Sequence, residues 1–154
     1  MEIVYTPLNE GKPEIYPTTK PKIRWEDLIL LYGTRISASN TSPGDDEYVN
    51  IYIVPEGKVF FMLSAHLTVA NNSTVRRAGK IFIRRPGETD TSTRCMMIIN
   101  TMPQGQSSTS INPTVPILVL YGESVGIFNE DPLVTTMGQV VGYEIETNLF
   151  QTLF

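Results

Sequence analysis

The side chains able to do chemistry are few, and their spacing decides little in favour of catalysis. There is one histidine, His66, and one cysteine, Cys95. A zinc site or a metal-binding cupin-type barrel needs several His and carboxylate ligands, and a Ser-His-Asp triad needs that one histidine beside a nucleophile on a special turn. No G-x-S-x-G elbow and no Gly-rich phosphate loop occurs. Carboxylates gather at Asp45, Asp46 and Glu47 and again at Glu130 and Asp131. Paired acids can hydrolyse glycosides or bind calcium. Both groups sit in polar, turn-like sequence, and the first lacks the alternating D-x-D-x-D-G ligand pattern. These residues are read as solvated acids, with no cofactor and no metal expected.

A positive run is the stronger signal. Arg76, Arg77, Lys80, Arg84, Arg85 and Arg94 fall within one stretch, opposed by Glu88 and Asp90. The plain reading is a solvated sheet face. The functional reading is a surface for an anionic partner, because arginine on a β-face can hold a carboxylate with two parallel hydrogen bonds. A net charge of −4 and the lack of regularly interleaved aromatics weigh against nucleic acid.

The elements that must position these residues are strands. Charged residues make up 18 % and apolar residues 41 % of 154, with eleven Gly and eleven Pro. Ser, Thr, Asn and Gln supply the remaining polarity, which suits exposed strand faces, and frequent turns follow from the Gly and Pro. Strands are predicted at Tyr48 to Val54, Val59 to Ala70, Lys80 to Arg84, Cys95 to Ile99, Val115 to Tyr121, Ser124 to Phe128 and Val140 to Ile145. In the second of these, Leu63, Ala65, Leu67 and Val69 are expected on one face and Ser64, His66 and Thr68 on the other. Trp25 to Tyr32 is open between a short helix capped by Asp27 and a strand running to Ile36; Gly33 ends the run either way. Residues 37–47 and 101–114 read as polar loops. The sum is one all-β domain of jelly-roll or sandwich type, about eight strands, over residues 25–154.

Residues 1–24 carry four prolines and alternating charges. Proline at this density disfavours helix and central strand and favours an extended, polyproline-like arm. The arm is either a disordered tail or a segment that orders against a neighbouring subunit. Its apolar anchors Tyr5, Leu8, Ile15 and Tyr16 speak for the second. The end of the sequence, with Phe150 and Phe154, is apolar and expected to pack on the domain or on a partner. A single cysteine permits no intrachain disulfide. No signal peptide and no membrane-spanning run are recognised, and synthesis in a cytoplasm is expected.

From Tyr48 onward the sequence resembles small β-sandwich proteins of tailed-phage virions. Val54-Pro55-Glu56-Gly57-Lys58-Val59 leads into a long strand ending at Asn71-Asn72-Ser73. Pro116 to Val125 (PILVLYGESV) and Val141-Gly142-Tyr143-Glu144-Ile145 resemble the later strands of that module. The resemblance spans roughly residues 48–146. It implies a jelly-roll-like, often trimeric virion protein made in the host cytoplasm and carried on the capsid surface: a capsid decoration (cement) or minor capsid protein bound to the major capsid protein or other virion subunits. A tail-associated or receptor-binding module with a carbohydrate ligand is the alternative. Partner-contacting residues are expected among Tyr5, Leu8, Ile15, Tyr16, Arg76, Arg77, Arg84, Arg85, Phe150 and Phe154.

Overall fold

A computed structural model describes residues 3–7, 13–17, 24–42, 47–88, 94–129 and 131–149. Leu8, Phe150 and Phe154 lie outside them. Strands β1 (Ile3–Pro7) and β2 (Pro13–Pro17) pair antiparallel as a two-stranded sheet of their own, with Tyr5 opposite Ile15 and Val4 opposite Tyr16. Within residues 1–24, the described segments 3–7 and 13–17 are thus hydrogen-bonded to each other. Prolines occupy the last position of β1 and both end positions of β2, where a missing N–H costs least.

Helix α1 (Trp25–Tyr32) follows. Its N-cap is Arg24, with no side-chain cap; Asp27 lies inside the first turn, 3.5 Å from the Arg24 guanidinium. An acid there still complements the positive end of the helix. Gly33 closes the helix by donating its N–H to the Ile29 carbonyl. A Cβ on Gly33 would stand 2.5 Å from that oxygen.

The body is a sandwich of β3 (Thr34–Ser42), β4 (Glu47–Ile53), β5 (Lys58–Asn71), β6 (Arg77–Arg84), β7 (Cys95–Thr101), β8 (Gly105–Ile111), β9 (Ile117–Val119), β10 (Ser124–Asn129) and β11 (Val134–Glu146). One sheet runs β4-β10-β6-β7. The other runs β3-β11-β5-β8, with β9 also on β5. Pairing is nested: β3 with β11, β4 with β10, β5 with β8 and β9, β6 with β7. Eight positions wrapped in this order make a jelly roll; β8 and β9 are two pieces of one position, split around Asn112 to Pro116.

Several sequence expectations are corrected. Residues 37–47 are not all loop, because β3 covers Thr34 to Ser42. Residues 101–114 contain β8. Both strands lie at sheet edges and are largely exposed. Ile36 and Ala38 of β3 and Ile111 of β8 pack against the core, but most of the other side chains face water, so the apolar alternation is weak while the backbone pairing is complete. β9 is shorter than Val115 to Tyr121, and β11 starts six residues before Val140.

The core between the sheets is built from Phe60, Met62, Ala65, Leu67, Val69, Val134 and Val140 on one side and Ile51, Val54, Ile81, Ile83, Val125 and Ile127 on the other. A β-bulge in β5 decides which residues face it. Ser64 pairs with Val141 and Met62 with Gly142, leaving Leu63 extra. One additional residue reverses the alternation. Phe60 and Met62 point into the core before the bulge, and Ala65, Leu67 and Val69 after it. Leu63 joins Val59 and Phe61 on the opposite face, where Leu28, Ile29 and Ile145 form a second cluster beneath α1. Leu63 thus does not share the face of Ala65 and Leu67. Gly142 permits the bulge, since a Cβ there would meet the Phe61 carbonyl at 2.1 Å.

Candidate functional site

The arginines separate into two groups. Arg77 opens β6 and Arg84 closes it; eight residues of strand put them roughly 23 Å apart. At the first end, Arg77 Nε lies 2.7 Å from Asp131 Oδ2, and Asp131 Oδ1 accepts the Leu133 N–H at 2.7 Å. Asp131 is buried. A carboxylate considered for calcium or glycoside chemistry is thus an internal partner of arginine. Arg76 reaches the Met102 sulfur at 3.2 Å. Asp45, Asp46 and Glu130 lie outside the described residues, and Glu47 opens β4 opposite Asn129. Among the described residues no group of His, Cys, Asp and Glu converges in a way that could hold a metal ion.

The second end of β6 forms a groove. It starts from Gly126 in β10. A Cβ there would come within 2.4 Å of Tyr48 Cζ, so the missing side chain lets the Tyr48 ring lie against the outer face of the sheet. The Tyr48 hydroxyl meets the Ser124 carbonyl and Ser124 Oγ, each at 3.2 Å. The Arg84 guanidinium covers the ring, 4.6 Å from its centroid, a favourable cation–π distance. Burial raises the Tyr48 pKa above its ordinary value, outweighing the Ser124 hydrogen bond and the Arg84 charge, so the phenol keeps its proton. Arg85, Pro86, Gly87, Gly122, Asn50 and Ile53 complete a groove of about 320 Å³.

Glu123 fixes the floor of that end. Its carboxylate is buried. Oε1 accepts from Arg94 at 2.7 Å and stands 3.6 Å from Arg85 Nε, while Oε2 accepts the Leu120 N–H at 3.0 Å. Its backbone carbonyl accepts from Val54 N–H. One residue therefore ties together the turn before β10, both flanks of the β6–β7 connection and the end of β4. Burial alone would raise its pKa; the Arg94 and Leu120 hydrogen bonds and the two arginine charges outweigh this and hold it below the usual range.

The remaining candidates are occupied within the chain. His66 Nδ1 is 2.7 Å from Ser110 Oγ and Nε2 is 3.1 Å from Thr68 Oγ1, on the outer face of β5. Burial raises the Cys95 thiol pKa despite its contact with the Met97 carbonyl and the Lys80 charge, which suppresses the reactive thiolate. At α1, Leu30 and Leu31 are 79 % and 69 % exposed and Tyr32 is also exposed.

Of the expected partner residues, the structure brings Arg84 and Arg85 to one groove and places Arg76 and Arg77 at the far end of the strand. Tyr48, Asn50, Glu123 and Ser124 were not anticipated. The available signal was Gly126 inside Ser124-Val125-Gly126-Ile127-Phe128, since a glycine within a strand marks close approach of another group.

No protein-family model and no curated protein sequence matches the chain. Among solved structures, the chain is similar to one from the acid-stable capsid of Helicobacter pylori bacteriophage KHP30, at 12 % identity and TM-score 0.48, covering 75 % of this chain and 96 % of that one. It is also similar to the coat protein of Tobacco streak virus (6 % identity, TM-score 0.40, 73 % and 87 % covered). A third similarity is to a chain of Sacbrood virus of honeybee (10 % identity, TM-score 0.41, 77 % and 88 % covered).

Proposed function

We propose that the chain is a structural protein of a virus particle and, within that class, a decoration (cement) or minor capsid protein that binds and stabilises a phage head. The observation that carries this reading is the outer face of α1. The helix packs Leu28 and Ile29 onto the sandwich and presents Leu30, Leu31 and Tyr32 to solvent. Consecutive large apolar residues exposed on a short helix suit burial against another subunit. The jelly-roll pairing and the motif resemblance over residues 48–146 agree with it. The partners on this reading are the major capsid protein or other virion subunits and further copies of this chain, in a trimer. The arm and the apolar carboxyl end would add contacts at neighbouring sites, where linked weak contacts multiply in effect.

The test is the composition of purified particles. Mass spectrometry of virions from the producing culture should find the chain in many copies per particle. Mild denaturant should release it while the shells stay closed. Its absence from particles would remove the virion reading, and shells that open with its release would replace decoration by a role in the shell wall.

A further inference from the structure

We infer that the Tyr48–Arg84 groove is a carboxylate-binding site that receives a single acidic side chain from an extended segment of a partner protein. This goes beyond the virion reading and stands without it, because it follows from the groove's own chemistry.

Both faces of the Tyr48 ring are taken, one by Gly126 and one by the Arg84 guanidinium. No aromatic face is left for a sugar to stack on, and the hydroxyl is committed to Ser124. What remains for a ligand is the edge of the guanidinium. Arg84 lies within ion-pair distance of no carboxylate among the described residues. A guanidinium held over a ring, as Arg84 is at 4.6 Å from the Tyr48 centroid, is restrained in position and keeps a fork of N–H donors, the group that grips a carboxylate through two parallel bonds. Arg85, whose side chain is 64 % exposed, lies beside it and is only loosely held by Glu123 at 3.6 Å. The exposed Asn50 amide adds a neutral hydrogen-bonding group.

Charge selects the ligand. Glu123 is engaged by Arg94 and Arg85 and the Glu88 carboxylate accepts the Arg85 backbone N–H, so among the described side chains of this end the Arg84 charge is the one left without a carboxylate beside it. That balance matches a monoanion and not a phosphate dianion or a polynucleotide, which calls for a broad basic surface. A groove of about 320 Å³ admits a side chain with its flanking backbone. Ile53, 53 % exposed, lines it, and Leu120 and Tyr121 are exposed in the adjoining turn. Aromatic and apolar residues around an arginine are the composition of protein contact sites.

The experiment is amide NMR titration of the full chain with an N-acetylated, C-amidated pentapeptide carrying one central glutamate. Its glutamine counterpart and free sialic acid serve as comparison arms. Saturable shifts at the Gly87 and Gly122 amides with the glutamate peptide, at least tenfold weaker with glutamine, are expected. Arg84→Gln should abolish them, and Arg84→Lys should weaken binding at least fivefold, since an ammonium cannot supply the fork. Asn50→Asp, which leaves the Tyr48–Arg84 stack in place, should also abolish binding by adding a like charge. Equal binding of both peptides, unchanged binding in Asn50→Asp, or shifts confined to other regions would overturn the proposal. Sialic acid binding more tightly than the glutamate peptide would transfer the groove to a glycan and overturn it as well.

Discussion

Tyr48 and Gly126 share one volume: the phenol ring occupies the space that a side chain on Gly126 would fill, with Cζ 2.4 Å from the position of the missing Cβ. The pair sits on the outer face of the four-stranded sheet and supports Arg84 from beneath. Gly126→Ala should force the ring off the sheet and cost about 1–3 kcal/mol, read by urea denaturation. Tyr48→Ala should cost less in the Gly126→Ala background than in the parent, because there the loss of the ring also relieves the clash. Strict additivity of the two changes would mean that they do not compete for that space.

Glu123→Gln should destabilise the protein by about 2–3 kcal/mol near neutral pH, since it leaves Arg94 facing a neutral group at a buried site. The pH dependence carries the sign. Glu123 is held below its ordinary pKa in the folded state, so its contribution is present above the unfolded pKa and disappears as pH falls through the folded one. Denaturant midpoints measured from pH 7 down to pH 3 should drop less steeply in Glu123→Gln than in the parent.

Glu144 behaves in the opposite sense. It is buried, accepts a hydrogen bond from the Tyr52 hydroxyl, and has its pKa raised first by burial and then by the charge of Glu146. An acid whose folded pKa is raised favours folding most when protonated. Its destabilising effect therefore grows as pH rises from the unfolded through the folded pKa. Glu144→Gln should raise Tm by roughly 1–4 °C at pH 7 and leave it almost unchanged at pH 4, as followed by circular dichroism.

The exposed face of α1 separates stability from association. Leu30→Gln with Leu31→Gln should change folding stability by less than about 0.5 kcal/mol, as expected for exposed positions. If that face meets another copy, the same change should lower the mass measured by light scattering after size exclusion. An unchanged oligomeric mass would take α1 out of the contact between copies. Phe60→Ala is the contrasting variant, with a core cavity costing about 3–5 kcal/mol.

Most strands with an apolar core-facing side were legible because their side chains repeat with the pleat. Ile51, Phe60, Ile81, Ile99, Val125 and Val140 belong to runs rich in β-branched and aromatic residues. β3 and β8 were not legible, since most of their side chains are polar and exposed and few apolar ones, Ile36, Ala38 and Ile111, reach the core. The first half of β11 escaped for another reason. Gly138 lies where a Cβ would stand 2.5 Å from both Ile127 and Ile51. The fit between the sheets there requires no side chain, and a stretch such as Thr135-Thr136-Met137-Gly138-Gln139 carries no hydrophobic signal. The candidate groove was half visible: Arg84 and Arg85 stood out as charges, while Tyr48 and Glu123 gave no sign of meeting them.

By itself, the sequence determined that the chain would be β-rich and where its main turns fall, and it supplies one histidine and one cysteine. These are local matters, set by residue type, alternation and the backbone freedom of glycine and proline. Only the tertiary structure decided that Leu63 turns away from Leu67, that Asp131 and Glu123 each neutralise arginines distant in the chain, and that Arg84 rests on Tyr48. Each depends on register between strands far apart in sequence, and a single extra residue in a strand reverses every side chain beyond it.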